Sequence, residues 1–160
     1  MNLPSRPVYL FGIISDTHGY LPEQALAAFR NVDLILHAGD IGSPTILLAL
    51  ENVAPVVAVR GNMDAGAWAE RLAEKESIQA GGQWVHLIHD VGRWRPDAGG
   101  DGCLAVVNGH THRPLIHTQG GILFVNPGSA GAPRYGERAC LALLRVTSAG
   151  ATADLIQISS

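Results

Sequence analysis

Between Val8 and Arg60 the chain alternates short apolar runs with helix-forming segments, and this alternation constrains its fold more than any other feature. "VYLFGIIS", "DLILHA" and "PVVAVR" are apolar runs of strand length with β-branched residues. "PEQALAAFRN" lies between the first two, with Pro22 where a helix would start. "SPTILLALEN" lies between the second and third, with Ser43 placed to cap a helix and Pro44 in its first position. A strand–helix–strand–helix–strand order predicts parallel strands joined by right-handed crossovers.

The second half is strand-rich. "AERLAEKESIQA" has a helical composition, but Gly81-Gly82 and "QWVHLIH" behind it make a hairpin the preferred reading. "CLAVVNG" is a further buried strand. "RPLIHTQ-GG-ILFVN" and "RACLALLRVT-SAG-ATADLIQIS" read as two more hairpins. "DVGRWRPDAGGDG" is too rich in Gly, Pro and Asp for a helix and is read as a loop. Two sheets packed face to face and flanked by helices fit this inventory.

At 160 residues the chain is expected to form one domain, residues 1–160. Apolar residues make up 47% and charged residues 16%, which excludes a disordered chain. A net charge of −3 argues against a broad nucleic-acid-binding face. No apolar run approaches the roughly 20 residues of a membrane span. "MNLPSRP" lacks the apolar core of a signal peptide, so a soluble cytoplasmic protein is expected. Cys103 and Cys140 have no zinc-motif spacing and are read as buried thiols.

Polar side chains stand just past successive apolar runs. Asp16 and His18 follow the first, Asp40 the second and Asn62 the third. His89 closes the run after the double glycine, and His110 and His112 follow "CLAVVN". Ligands of open parallel sheets bind outside the carboxyl ends of the strands, so these segments should deliver their side chains to one sheet edge. Two carboxylates, one amide and four imidazoles, with no thiolate, suit manganese, iron, zinc or nickel better than calcium or a soft metal. The set is too large for one tetrahedral site and fits two metals that share a carboxylate. In "DTH" and "HTH" the donors are two residues apart, and an extended backbone would put both on one face. Glycines before Asp40, Asn62 and His110 leave room for close approach of the backbone. Two divalent ions, two aspartates and a shared hydroxide would retain roughly one positive charge, which suits a phosphate ester.

"SDTHG", "HAGDI", "RGNMD", "HLIHD" and "NGHTHRP", followed by "NPGSAGAPR", resemble the calcineurin-like metallophosphoesterase superfamily, closest to its small single-domain phosphodiesterase branch in bacteria and archaea. The resemblance runs from Val8 to about Ile158. It implies an α/β fold, a two-sheet β-sandwich flanked by helices in four α/β/β/α layers. It also implies one metal on Asp16, His18 and His112, another on Asn62, His89 and His110, and Asp40 bridging them. Manganese is the favoured ion, with iron, zinc or nickel as alternatives. The implied reaction is in-line attack on phosphorus by a metal-bridging hydroxide, with Asn62 also touching a phosphate oxygen. No protein general acid is assigned. Relatives often carry a histidine where Met63 stands, and methionine cannot protonate a leaving group, which directs the expectation to good leaving groups or water as acid. Asp90 stands where glycine is common, and could lower the local positive charge or hydrogen-bond a ligand imidazole.

Other residues have ordinary structural readings. His37 is expected beside the site or in the core, and His86 and His117 outside the donor set. Asp64 is read as a turn acid and Asn126 as a brace for the loop bearing His110 and His112. Arg113 and Arg134 are read as solvated strand-end charges that could instead meet a phosphate, Trp84 as core, and Trp68 and Trp94 as core or interface residues that could instead stack on a nucleoside. The expected partner is a small phosphate ester, with no membrane, nucleic acid disfavoured and self-association left open. Two other functions compete. A protein-interaction scaffold with a phosphoesterase fold, metal-binding or metal-free, would be free to lose donors, and all seven positions hold residues able to bind metal. A nuclease would use the same centre, but acidic balance and small size count against it.

Overall fold

The computed structural model describes residues 1–96 and 102–158. In chain order the elements are β1 (Val8–Ile14), α1 (Glu23–Ala28), β2 (Leu34–His37), α2 (Pro44–Glu51) and β3 (Val56–Ala58). Then come α3 (Ala67–Glu70), β4 (Lys75–Ala80), β5 (Gln83–Ile88), β6 (Cys103–Val107), β7 (Leu115–Gln119), β8 (Ile122–Asn126), β9 (Cys140–Thr147) and β10 (Gly150–Gln157). They form two five-stranded sheets, ordered β10-β9-β1-β2-β3 and β4-β5-β6-β8-β7.

The predicted parallel trio β1-β2-β3 forms, with Ile14 opposite His37 and His37 opposite Ala58. The hairpin β9-β10 completes its sheet, with β9 antiparallel to β1. The second sheet has a parallel core of its own, β5-β6-β8, edged by the antiparallel strands β4 and β7. Gly81 and Gly82, with φ of 61° and 81°, make the tight turn between β4 and β5, so the hairpin reading holds and the helix stops at Glu70.

The strands alternate their side chains between two cores. Tyr9, Phe11 and Ile13 of β1, with Ala142, Leu144 and Val146 of β9, enter the core between the sheets. Ile14 and Leu141 enter a second core beneath the helices. Burial on both faces is why these strands read as unbroken apolar runs. Each such Ile or Phe contributes about 1.5–3 kcal/mol. Gly12 leaves the space that the Phe29 ring fills, since a Cβ there would lie 2.5 Å from it. In α2, Ser43 accepts a hydrogen bond from Thr45 N–H, Pro44 takes the first turn, and Ile46 and Leu50 face the core.

The three helices line the outer face of the first sheet. Over the second sheet the described residues place a single 3₁₀ turn, Val91–Arg93, and Trp94, whose ring packs edge-on against Phe124 at 5.7 Å. Part of the expected loop at 90–102 falls on residues 97–101, outside the described residues. Cys140 is buried, Cys103 half-buried, and neither is in a disulfide. Among the described residues no helix is long and apolar enough to cross a membrane.

Candidate metal centre

All seven predicted donors converge, but at a seam and not at the edge of one sheet. Asp16 and His18 follow β1, Asp40 follows β2 and Asn62 follows β3, all in the first sheet. His89 follows β5, and His110 and His112 follow β6, in the second. The site therefore lies where the carboxyl ends of two parallel cores meet. Hydrogen bonds tie the loops together: His18 N–H donates to the Asp40 carbonyl, Gly109 N–H to that of His89, and Ala130 N–H to that of Ser15.

The local geometry differs from the extended backbone expected for "DTH" and "HTH". Asp16, His18, Asp40, His110 and His112 have φ of 54°, 47°, 54°, 73° and 63°. Left-handed turns, not strand alternation, aim these side chains inward. A non-glycine residue in this region costs of order 1–3 kcal/mol, which the surrounding hydrogen bonds must offset. The preceding glycines are required by packing against donor-bearing groups. A Cβ on Gly61 would lie 2.2 Å from Asp40 N and Oδ1, and one on Gly109 would lie 2.0 Å from Ser15 Oγ.

The inward atoms are spaced as ligands of shared ions. His18 Nε2 lies 3.2 Å from His112 Nε2 and 3.8 Å from Asp16 Oδ1, and His112 Nε2 lies 3.4 Å from Asp16 Oδ1. On the other side His89 Nε2 lies 2.9 Å from Asn62 Oδ1 and 3.3 Å from His110 Nδ1, and His110 Nδ1 lies 3.2 Å from Asn62 Oδ1. Asp40 Oδ2 stands between, 3.7 Å from His18 Nε2 and 3.4 Å from His89 Nε2. Bonds of about 2.1 Å in a tetrahedral shell place neighbouring donors about 3.4 Å apart. Asp16, His18 and His112 form one compact donor group, and Asp16, Asp40 and His89 another.

The partners of the outer atoms show that these residues fit a metal. Asp16 Oδ2 accepts from Ser15 Oγ–H and His110 N–H, yet its buried Oδ1 has no hydrogen-bond partner. An orphaned carboxylate oxygen facing two imidazoles is what a cation would satisfy. His89 Nδ1–H donates to the Ala38 carbonyl at 2.7 Å, and His112 Nδ1–H to that of Ala132 at 2.8 Å. These bonds place a proton on Nδ1 of each ring and turn Nε2 inward, and they answer the expectation for Asp90: main-chain carbonyls do that work. Asp90 instead accepts from Gly92 N–H and caps the 3₁₀ turn.

The electrostatics describe strained, competing charges. Burial holds the Asp16 carboxyl above its usual range. Burial also pushes Asp40 up, but the His89 ring and the Met63 N–H outweigh it and bring the carboxyl below the ordinary value. His89 is pulled down by burial and more strongly up by Asp40 and the Ala38 carbonyl, so it ends above the usual imidazole value. His37, fully buried, is pushed down to about 3 by desolvation and is neutral. Its Nδ1 accepts from Gly39 N–H and its Nε2–H donates to Thr17 Oγ1, a supporting role as expected.

Other readings resolve in the same way. Asp64 accepts from Gly42 and Gly61 N–H and braces the turn. The Asn126 amide donates to the Gly109 carbonyl and Thr111 Oγ1, bracing the loop of His110 and His112. Ser129, not singled out from the sequence, donates to the Asp16 carbonyl. Its only sequence signal is its place in "NPGSAGAPR". His86 pairs with Ser77 Oγ and His117 stacks on Phe124, both away from the donor set. Arg113 lies over the Tyr135 ring at 4.3 Å. Trp68 packs under the helices and Trp94 on Phe124, while Trp84, expected in the core, is instead half-buried and stacks on His86. A cleft of about 520 Å³ opens over Asn62, His89 and His110.

Comparison with known proteins shows the family and the fold. Residues 10–149 match the family model of the calcineurin-like phosphoesterase superfamily domain. A probable metallophosphoesterase of Methanothermobacter thermautotrophicus is 38% identical, over 92% of each chain. Among solved structures, an archaeal phosphodiesterase superimposes with a TM-score of 0.78 at 24% identity, covering 93% of this chain and 99% of that one. Vacuolar protein sorting 29 of Cryptosporidium parvum superimposes with a TM-score of 0.73 at 20% identity, covering 97% and 100%. At these identities the two structures speak for the fold alone.

Proposed function

The chain belongs to the calcineurin-like phosphoesterase superfamily, and on that footing we propose that it is a phosphodiesterase using two divalent ions, manganese first among them, on small soluble esters. Asp16, His18 and His112 would hold one ion and Asn62, His89 and His110 the other. The observation that carries this reading is the position of Asp40 Oδ2, within 3.7 Å of an imidazole on each side. When bound, such ions acidify water near neutral pH and offset charge developing on phosphoryl oxygens.

The chain's residues do the rest. Asp16 and Asp40 supply the negative charge, while neutral Asn62 adds a donor without cancelling the attraction for phosphate. The exposed Asn62 side chain is placed to meet a phosphoryl oxygen from the cleft. Met63 is 67% exposed and offers only its N–H, which is engaged by Asp40 Oδ1. The leaving group must therefore depart unprotonated or take its proton from water, which favours acidic leaving groups.

Protein loaded with manganese should hydrolyse bis(p-nitrophenyl) phosphate, and a chelator should abolish turnover. Inert metal-loaded protein, with metal content unchanged in Asp40→Asn, would overturn the reading. The likeness to vacuolar protein sorting 29 supports a second reading, a scaffold without turnover. The complete donor set and the orphaned Asp16 oxygen favour the enzyme over a metal-free scaffold, and turnover separates it from a metal-binding one.

A further inference from the structure

The cleft beside Asn62, His89 and His110 is also lined by cations. Arg60, Lys75 and Arg93 line it, and its volume of about 520 Å³ is that of a small-molecule pocket. Asp64, Glu74 and Asp90 line it too, each with a partner of its own. Glu74 pairs with Arg60 at 3.2 Å, Asp64 accepts from two main-chain N–H groups, and Asp90 accepts from Gly92 N–H. Lys75 and Arg93 are exposed, and among the described residues no ion pair engages either. Lys75 is also the only lysine in a chain of net charge −3. Lys75 and Arg93 are thus the cations that an anion entering beside the metal donors can reach, although the lining as a whole balances three cations with three acids.

We infer that this cleft receives an anionic arm of the substrate: the preferred ester carries a second phosphate or carboxylate, bound by Lys75 and Arg93. This rests on the phosphoesterase reading for the scissile group. Arg60, held by Glu74, shapes the wall. Guanidinium and ammonium groups recognise phosphate and carboxylate through charge-assisted hydrogen bonds. An ester with two neutral aryl arms leaves both cations unused.

The test compares thymidine 3′,5′-bisphosphate with thymidine 5′-monophosphate by calorimetry on the full manganese-loaded chain. The bisphosphate should bind at least about tenfold tighter, and a Lys75→Gln/Arg93→Gln double variant should bring the ratio to within about twofold. Rising salt should shrink the preference in the wild type. Acylation of the single lysine provides a check on the unmutated protein: the bisphosphate should protect Lys75 and the monophosphate should not. Equal binding of the two probes, or a preference that survives the double variant, overturns the inference.

A kinetic arm separates the two readings. Thymidine 5′-(p-nitrophenyl phosphate) and its 3′-phosphorylated form share one leaving group. Turnover of both with equal KM would sink the anionic-arm inference and leave the phosphoesterase intact. Tight, Lys75-dependent bisphosphate binding without turnover of either would keep the subsite and sink the enzyme.

Discussion

The two sides of the donor set are built differently. Asp16 and His112 are buried at 0% and 2% exposure, and Ser15, Ser129 and the Ala132 carbonyl tie their loops down. Asn62 and His110 are exposed, and with buried His89 they face the cleft. Asp40 joins the two sides. The contrast teaches a division of labour, on the proposed function: one side would anchor an ion on two buried donors and half-buried His18, and the other would present its ion to substrate. Rigid hydrogen bonding suits the first, and open, cation-lined space suits the second.

Removing the joint should have the largest effect. Asp40→Asn is expected to lower kcat/KM on bis(p-nitrophenyl) phosphate by about three orders of magnitude, with manganese content falling on both sides. Steady-state kinetics and elemental analysis check both. Asp16→Asn and Asn62→Ala then set one side against the other. Asp16→Asn should weaken metal affinity about 10–100-fold, whereas Asn62→Ala should raise KM more than it lowers metal content. Equal metal loss in the two variants would erase the distinction between an anchoring and a presenting side.

Stability changes come next. Gly109→Ala on the buried side and Gly61→Ala at the Asp40 joint should each cost about 1–3 kcal/mol in urea unfolding of the metal-free protein, because a Cβ has no room in either place. His37 links the buried core to pH. Its ordinary value of 6.5 falls to about 3 in the fold, so the unfolded chain binds the extra proton between these limits. Stability is therefore complete above about pH 6.5 and is lost as pH falls toward about 3. From pH 7 to pH 5 this one group costs about 2 kcal/mol. His37→Gln should reduce the loss by that amount, read from urea midpoints at the two pH values. His117→Ala, on the far sheet, should shift stability by less than about 0.5 kcal/mol and leave turnover unchanged.

Much of the fold was legible. The β1-β2-β3 trio, the cap at Ser43 and the glycine-turn hairpins follow from local period and turn chemistry. The partnering of distant strands did not: β9 beside β1 and β6 beside β8 depend on packing between segments with no local signal for one another. The side chains that converge were legible too as candidate donors, because each follows an apolar run. Their aim was misread, since a left-handed φ at Asp16 or His112 is invisible where the residue is not glycine.

The identity and order of the donors, and the glycines that let their loops pack, were determined by the sequence alone. Tertiary structure decided the rest. It brought two sheets' carboxyl ends into one seam, turned His89 and His112 by their carbonyl partners, and lined one cleft with Lys75, Arg93 and Asn62. Chemistry belongs to residue types and can be read in one dimension. Distances of 3–4 Å between residues far apart in the chain arise only when the sheets pack, and no sequence spacing encodes them.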